Sequence, residues 1–195
     1  MIMVQTTGKE DHNPLIINPI IKYHSLMKTQ LRTHFLAVRR SLSSEVRKSA
    51  AQTLLERFSD HPSPYIASFS SFNDEIDLTP LNQLLAYQKR LLLPRRAGES
   101  LTFHRVDDLS TLEGKWLKEP PVSDPFDLAQ DVLLLVPGLA FTLSGIRLGY
   151  GKGHYDRFFA SHPHLTSIGV GFLSQISDDL PSDPWDHSID QVLLV

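Results

Sequence analysis

Apolar and polar positions change their period along the chain in a way that lays out its elements. Leu31, Phe35, Val38 and Leu42 recur at helical spacing and predict a helix opening at Met27. Val46, Ala50, Leu54 and Phe58 mark a second helix, with Ser43 as N-cap, Glu45 in its first turn and His61-Pro-Ser-Pro64 as its stop. Residues 65–72 alternate in part and predict the first strand. Thr79, followed by Pro80, predicts an N-cap and a helix with Leu81, Leu84 and Leu85 facing inward. Strands are expected at 90–94 and 101–105, then an irregular stretch over 109–130 centred on Glu119-Pro120-Pro121. Residues 132–136 form an unbroken apolar run, the pattern of a strand covered on both faces. Tyr155, Phe158, Phe159 and His162 predict a helix that Pro163 stops, and 166–171 and 191–195 predict the last two strands. Strands alternating with helices predict an α/β fold. The expectation is a single three-layer domain over residues 24–195, with a mainly parallel sheet and helices on both faces. Residues 1–23 show no clear period, contain Pro14 and Pro19, and read as a loose tail.

The stretch from Val132 to Asp156 organises the rest. Between the apolar run and the helix lie Gly138, Gly145, Gly149, Gly151 and Gly153, with Arg147 and Lys152 among them. Each glycine costs roughly 0.5–1 kcal/mol of chain entropy against Ala, so a cluster needs a reason. Backbone N–H groups at a helix start, unobstructed by Cβ atoms and flanked by two cations, make an anion site. A polyphosphate is the expected ligand. The loop fits neither common fingerprint: a Walker loop places its Gly-Lys one residue sooner and follows it with Ser or Thr, and the Rossmann spacing lacks its third Gly. A glycine-rich surface turn remains the plainer alternative.

Composition narrows the function classes. The 195 residues suffice for one domain, with 41% hydrophobic and 21% charged positions. A net charge of −3 without a basic block argues against a nucleic-acid surface. Zero Cys removes disulfides, thiolate metal sites and Cys nucleophiles together and suits a reducing compartment. No apolar run approaches the ~20 residues that span a bilayer, and residues 1–22 lack a signal or transit-peptide pattern. A soluble cytoplasmic protein without nucleic-acid or membrane partners is expected.

Other polar groups are less decisive. Lys28, Arg32 and Arg39 share one helical face, which by itself reads as a solvated basic face. Asp156 is placed either to compensate the helix dipole or to hold a hard cation beside phosphates. Asp178, Asp179, Asp183, Asp186 and Asp190 crowd the segment before the last strand, and sequence does not choose among them. His162 and His164 flank Pro163 with no third ligand in view, and neither a Ser/His/Asp order nor a nucleophile elbow occurs.

From Lys28 onward the chain resembles the 5-formyltetrahydrofolate cyclo-ligase (methenyltetrahydrofolate synthetase) family. The resemblance rests on Lys28-Thr-Gln-Leu-Arg32 with Arg39, Asn73-Asp-Glu-Ile-Asp77, Leu93-Pro94, Glu119-Pro120, Pro137-Gly-Leu-Ala-Phe141, Gly145-Ile-Arg-Leu-Gly-Tyr-Gly-Lys-Gly-His-Tyr-Asp156, and Leu180-Pro181 leading to Asp186 and Asp190. The chain departs from the family at Thr142, where Asp is usual, at His154, where Tyr is common, and at Trp185. The resemblance implies conversion of 5-formyltetrahydrofolate to 5,10-methenyltetrahydrofolate with ATP as co-substrate and Mg²⁺ as cofactor. It implies ATP contacts from Lys28, Thr29, Gln30, Leu31 and Arg32, and from Arg147, Leu148, Gly149, Tyr150, Gly151, Lys152, Gly153, His154 and Tyr155. Arg147 and Lys152 would be catalytic, Ser70 and Glu75 would contact the folate, and Asp156 and Asp186 would hold Mg²⁺. Met27 then reads as the functional start, and loss of residues 1–26 is expected to spare folding. Two rivals share the phosphate loop: an isomerase or CoA-transferase-like enzyme using Glu75 or Glu119, and a nucleotide-binding regulator without turnover.

Overall fold

The structure is a computed structural model and describes residues 19–195, so the expectation for residues 1–18 lies outside the described residues. The first helix, α1 (Pro19–Arg40), opens at Pro19 and not at Met27, which corrects the tail boundary: residues 19–23 are helical. Truncation through residue 26 would therefore cut into α1 and remove His24, whose Nδ1 lies 3.4 Å from Asp183.

Helix α2 (Ser44–Phe58) is capped as expected, the Ser43 hydroxyl accepting from the Val46 N–H at 3.3 Å. Its buried face is Ala50, Ala51, Leu54 and Phe58; Val46, expected there, is exposed in the first turn. Helix α3 (Thr79–Tyr87) is capped by Leu78, not Thr79. The Asp77 carboxylate accepts the Thr79 N–H at 2.9 Å, taking the part assigned to the threonine hydroxyl and making Thr79 the first helical residue.

Six strands form one sheet in the order β3-β2-β1-β4-β7-β8. The strands are β1 (Tyr65–Ala67), β2 (Leu91–Ala97), β3 (Ser100–Arg105), β4 (Val132–Pro137), β7 (Thr166–Gly171) and β8 (Gln191–Leu194). All neighbours are parallel except β3, which folds back on β2 as an antiparallel edge. Between β4 and β7 the chain makes a separate hairpin, β5 (Ala140–Phe141) with β6 (Arg147–Leu148), and then helix α4 (His154–Ser161).

Side chains alternate across this sheet into two cores. Ile66, Leu91, Leu93, Leu133 and Leu135 pack with Leu54 and Phe58 of α2 and Leu81 and Leu85 of α3. Ala67, Leu92, Val132, Leu134 and Val136 pack on the other face with Phe158 and Phe159 of α4. This is the physical content of the unbroken apolar run at β4: both faces are covered, and all five residues are buried. The expected three-layer α/β architecture is thus what the chain adopts. A third, smaller cluster of Phe35, Leu139, Ala140, Leu148 and Leu180 docks α1 against the β5–β6 hairpin. That contact carries the cations of α1 to the sheet's C-terminal edge. Among the described residues no helix is long and apolar enough to cross a membrane.

Candidate active site

Strands β1 and β4 are adjacent, yet the chain leaves β1 through α3 to β2 and leaves β4 through α4 to β7. Connections that part in opposite directions open a crevice beyond the strands' carboxyl ends. A cavity of about 1230 Å³ lies there. Its wall includes Ser70 and Glu75 after β1, Pro137 at the end of β4, the glycine loop and start of α4 over 147–157, a strap over 113–119, and Lys28 and Arg32 of α1. Single-ligand pockets run roughly 300–1,000 Å³, so this one has room for two substrates. Nine Lys or Arg residues line it against six Asp or Glu. The cavity is thus cationic in a chain of net charge −3, which favours anionic ligands.

The glycine loop is held by its own hairpin. The Thr142 hydroxyl accepts the Ile146 N–H at 3.0 Å and lies 2.8 Å from the Ser144 hydroxyl, closing the turn between β5 and β6. An Asp carboxylate would accept the same N–H, which accounts for the departure at this position. Gly145 has φ 91°, and a Cβ there would lie 2.1 Å from the Ile189 carbonyl oxygen. Ile189 N–H donates to the Gly145 carbonyl at 2.8 Å, so close approach fixes the loop to the segment entering β8. Gly153, left-handed with φ 66°, is the N-cap of α4 and turns the chain so that the helix starts against the cavity. His154 Nδ1 donates to the Glu99 carbonyl at 2.8 Å, tying α4 to the β2–β3 turn. Lys152 is exposed on the loop, lines the cavity, and among the described residues has no ion-pair partner.

Three other cations of the cavity are committed. Lys28 is buried, and its Nζ lies 2.6 Å from both Asp183 Oδ2 and Asp186 Oδ2. The Asp183 N–H also donates to Asp186 Oδ2 at 2.8 Å. The hydrogen bond from Lys28 holds the Asp183 carboxyl below the usual aspartate range. Arg32 Nε donates to the Gly149 carbonyl at 3.0 Å. Arg147 donates to Asp156 Oδ1 at 2.8 Å, with its guanidinium over the Tyr155 ring at 5.5 Å. Asp156 and Asp186 share one wall, since the His187 N–H lies 3.5 Å from Asp156 Oδ1. Among the described residues no three His, Cys, Asp or Glu side chains gather to hold a metal alone.

A polar cluster lies at the cavity wall. Glu75 Oε2 accepts the Phe72 N–H at 2.9 Å, and burial raises its carboxyl above the ordinary value. Arg39, 1% exposed, donates to the Tyr150 hydroxyl at 2.6 Å. Burial and the Glu75 charge push the Tyr150 phenol up to about 12. The same two causes raise Tyr155, which stays protonated at neutral pH. The hydroxyls of Ser70 and Tyr155 are buried without a hydrogen-bond partner. Both residues line the cavity, so each is a polar group available to a ligand.

The structure therefore brings together Ser70, Glu75, the loop from Arg147 to Tyr155, Asp156, Asp186, Lys28 and Arg32. Thr29, Gln30 and Leu31 are not on the cavity wall. Leu31 turns into the α1 cluster, and the Thr29 hydroxyl donates back to the Ser25 carbonyl at 2.9 Å. The face of Lys28 and Arg39 is buried rather than solvated, because α1 packs on the hairpin. Glu119, a candidate base of the rival reading, pairs with Arg96 at 2.8 Å. Two contributors escaped the sequence reading. Asp183 was one acid among five, and the strap carrying Trp116 lay in a stretch without period.

Residues 24–195 match the 5-formyltetrahydrofolate cyclo-ligase family. The 5-formyltetrahydrofolate cyclo-ligase of Escherichia coli K12 is 32% identical over 169 residues, covering 80% of this chain and 93% of its own. That of Mus musculus is 27% identical over 187 residues, covering 85% and 92%. The solution structure of Aquifex aeolicus 5,10-methenyltetrahydrofolate synthetase superposes with a TM-score of 0.74 at 31% identity, covering 85% of this chain and 88% of that one. The chain is an enzyme of the 5-formyltetrahydrofolate cyclo-ligase family.

Proposed function

We propose that this enzyme cyclises 5-formyltetrahydrofolate to 5,10-methenyltetrahydrofolate, converting ATP to ADP and phosphate. The observation that carries the reading is one cavity lined both by a glycine loop with Lys152, which has no ion-pair partner among the described residues, and by Glu75 with the Ser70 hydroxyl. The chemistry needs both groups. A formamide oxygen is a poor leaving group, so the neighbouring arylamine nitrogen closes the ring only after that oxygen is activated. In the first step the formyl oxygen attacks the γ-phosphorus of ATP, an O–P bond forms, and ADP leaves with the electrons of the broken bond. In the second, the arylamine nitrogen attacks the formyl carbon, the C–O bond breaks, phosphate departs, and the nitrogen's proton passes to solvent.

Phosphoryl transfer asks the protein for positioning and charge compensation. Lys152 and Arg147 would stabilise charge on the transferring group, and backbone N–H groups of residues 149–153 would orient the phosphates. Glu75, as a carboxylate, would accept hydrogen bonds from the pterin's amino and ring N–H groups, with Ser70 beside it. Asp156 and Asp186, which line the cavity, would hold a magnesium ion, which needs only one or two protein carboxylates when phosphates complete its shell. When bound, the ion supplies charge neutralisation on the phosphates. The strap over 113–119 forms part of the cavity wall. The test is ATP-dependent appearance of methenyltetrahydrofolate absorbance from purified protein. Nucleotide binding without that chromophore would favour a regulator, and turnover of a sugar phosphate without ATP would favour an isomerase.

A further inference from the structure

Arg39 is the largest side chain among the fully buried residues, and the steps above do not use it. A buried guanidinium is costly unless paired and fully hydrogen-bonded. Here no carboxylate lies within ion-pair distance among the described residues, and Nε has no hydrogen-bond partner. Its contacts are instead the Tyr150 hydroxyl at 2.6 Å and, at 3.5 Å, the carbonyl of Gly138 just past β4. Its carbon Cζ stands 5.7 Å from the Tyr150 ring centroid. The same guanidinium and the Tyr150 hydroxyl both lower the Glu75 carboxyl against the upward push of burial. A single cation of α1 thus joins the end of β4, the glycine loop and the loop after β1, which are the elements that meet at the switch point.

We infer that Arg39 is a positioning residue for the reduced folate, its buried guanidinium fixing the Tyr150 hydroxyl on the cavity wall that Glu75 also lines. The inference rests on the folate reading of the cavity and deepens it. It explains why Arg and not Met or Leu occupies an apolar position of α1: the fork reaches two loops at once, which a point charge does not. It also gives Tyr150 a task apart from the phosphates, as a hydroxyl with the guanidinium on one side and the carboxylate on the other.

Glu75 is faced by charged or titratable groups from every side. Arg39 comes from α1, Tyr150 from the glycine loop and Tyr155 from α4, with Arg147 of β6 lying over Tyr155. On its own loop are the Phe72 N–H and Asp74, the latter paired with Arg40 at 3.4 Å and Arg47 at 3.5 Å. Burial raises the Glu75 carboxyl, while the Phe72 N–H, Arg39 and Tyr150 pull it back down. Removing Arg39 or the Tyr150 hydroxyl therefore raises it further. Folate binding that needs the charged form is then lost at a higher pH on the acid side.

The experiment measures kcat/KM for 5-formyltetrahydrofolate from pH 6 to 9 in wild type, Arg39→Met, Arg39→Lys and Tyr150→Phe, at saturating Mg·ATP. KM for ATP is taken separately at pH 8. Arg39→Met is expected to lower the folate kcat/KM roughly 10-fold, with KM for ATP nearly unchanged, and to move the acid limb to higher pH. Arg39→Lys restores the charge and brings the limb back toward wild type. Tyr150→Phe keeps the ring and moves the limb in the same direction, and it carries the test if thermal melting shows that Arg39→Met does not fold. An acid limb that coincides with wild type in the folded variants overturns the inference, as does an equal loss for ATP and folate. Absence of methenyl product from wild-type protein is a separate outcome that removes the folate reading itself, and the inference with it.

Discussion

Replacing Lys28 by Met removes an ammonium that lies 2.6 Å from two carboxylates. The side chains of Lys28, Asp183 and Asp186 are 10%, 13% and 20% exposed, so water screens them little. Breaking a buried ion pair from one side costs about 3–5 kcal/mol, whereas an exposed pair is worth about 0–1. This partly open site should lie between, at about 2–3 kcal/mol, because Asp183 and Asp186 are left as like charges facing each other. At about 2–4 °C per kcal/mol for a chain of this size, the ligand-free melting temperature should fall roughly 4–12 °C at pH 7. The pH dependence has a definite sign. The Lys28 hydrogen bond holds Asp183 below its ordinary value. Its contribution is therefore complete above the unfolded aspartate value and disappears as pH falls through the folded one. The gap between wild type and variant should close below about pH 4. Calorimetry across that range checks both statements. Equal melting at pH 7, or a gap that persists unchanged into acid, would show that the Lys28 pair does not hold the 183–186 turn against α1.

Lys152→Ala should leave stability within about 0.5 kcal/mol, since the side chain is exposed and makes no ion pair among the described residues, and lower kcat/KM for ATP roughly 10-fold. Loss of folate affinity instead would exchange the places of the two substrates in the cavity. It is a cleaner probe than Arg147→Ala, which would strand Asp156 without its partner at 2.8 Å. Asp186→Asn should shift the Mg²⁺ titration of turnover to higher concentration, and a titration that superposes on wild type removes Asp186 from the metal site. Gly145→Ala should destabilise by on the order of 2–4 kcal/mol in chemical denaturation, because φ is 91° and the new Cβ would meet the Ile189 oxygen at 2.1 Å. A loss under 1 kcal/mol would mean the loop shifts freely.

What the sequence made legible follows from how each residue earns its place. Strand β7 was readable to its ends and β4 to within one residue, because residues covered on both faces must be apolar or small without interruption. Strand β1 was drawn too long. Its pairing stops at Ala67, and although Phe69 is still buried, Ser70 already faces the cavity. The β5–β6 hairpin was hidden, since two-residue strands carry no period to read. The edge strand β3 was found but not its antiparallel direction, which depends on the short turn at Gly98. At the site, the glycine loop announced itself through composition. Asp183 and Arg39 did not, because their roles lie in partners more than a hundred residues away, Lys28 for one and Tyr150 for the other.

The most direct test of the account follows the formyl oxygen. If that oxygen is phosphorylated before ring closure, 5-formyltetrahydrofolate labelled there with oxygen-18 should transfer the label to inorganic phosphate. Each methenyl product should bring one labelled phosphate and one ADP. Mass spectrometry of the phosphate reads the outcome. Methenyl product accompanied by unlabelled phosphate would contradict the phosphorylation step, and folded protein that forms no product with millimolar Mg·ATP would contradict the function.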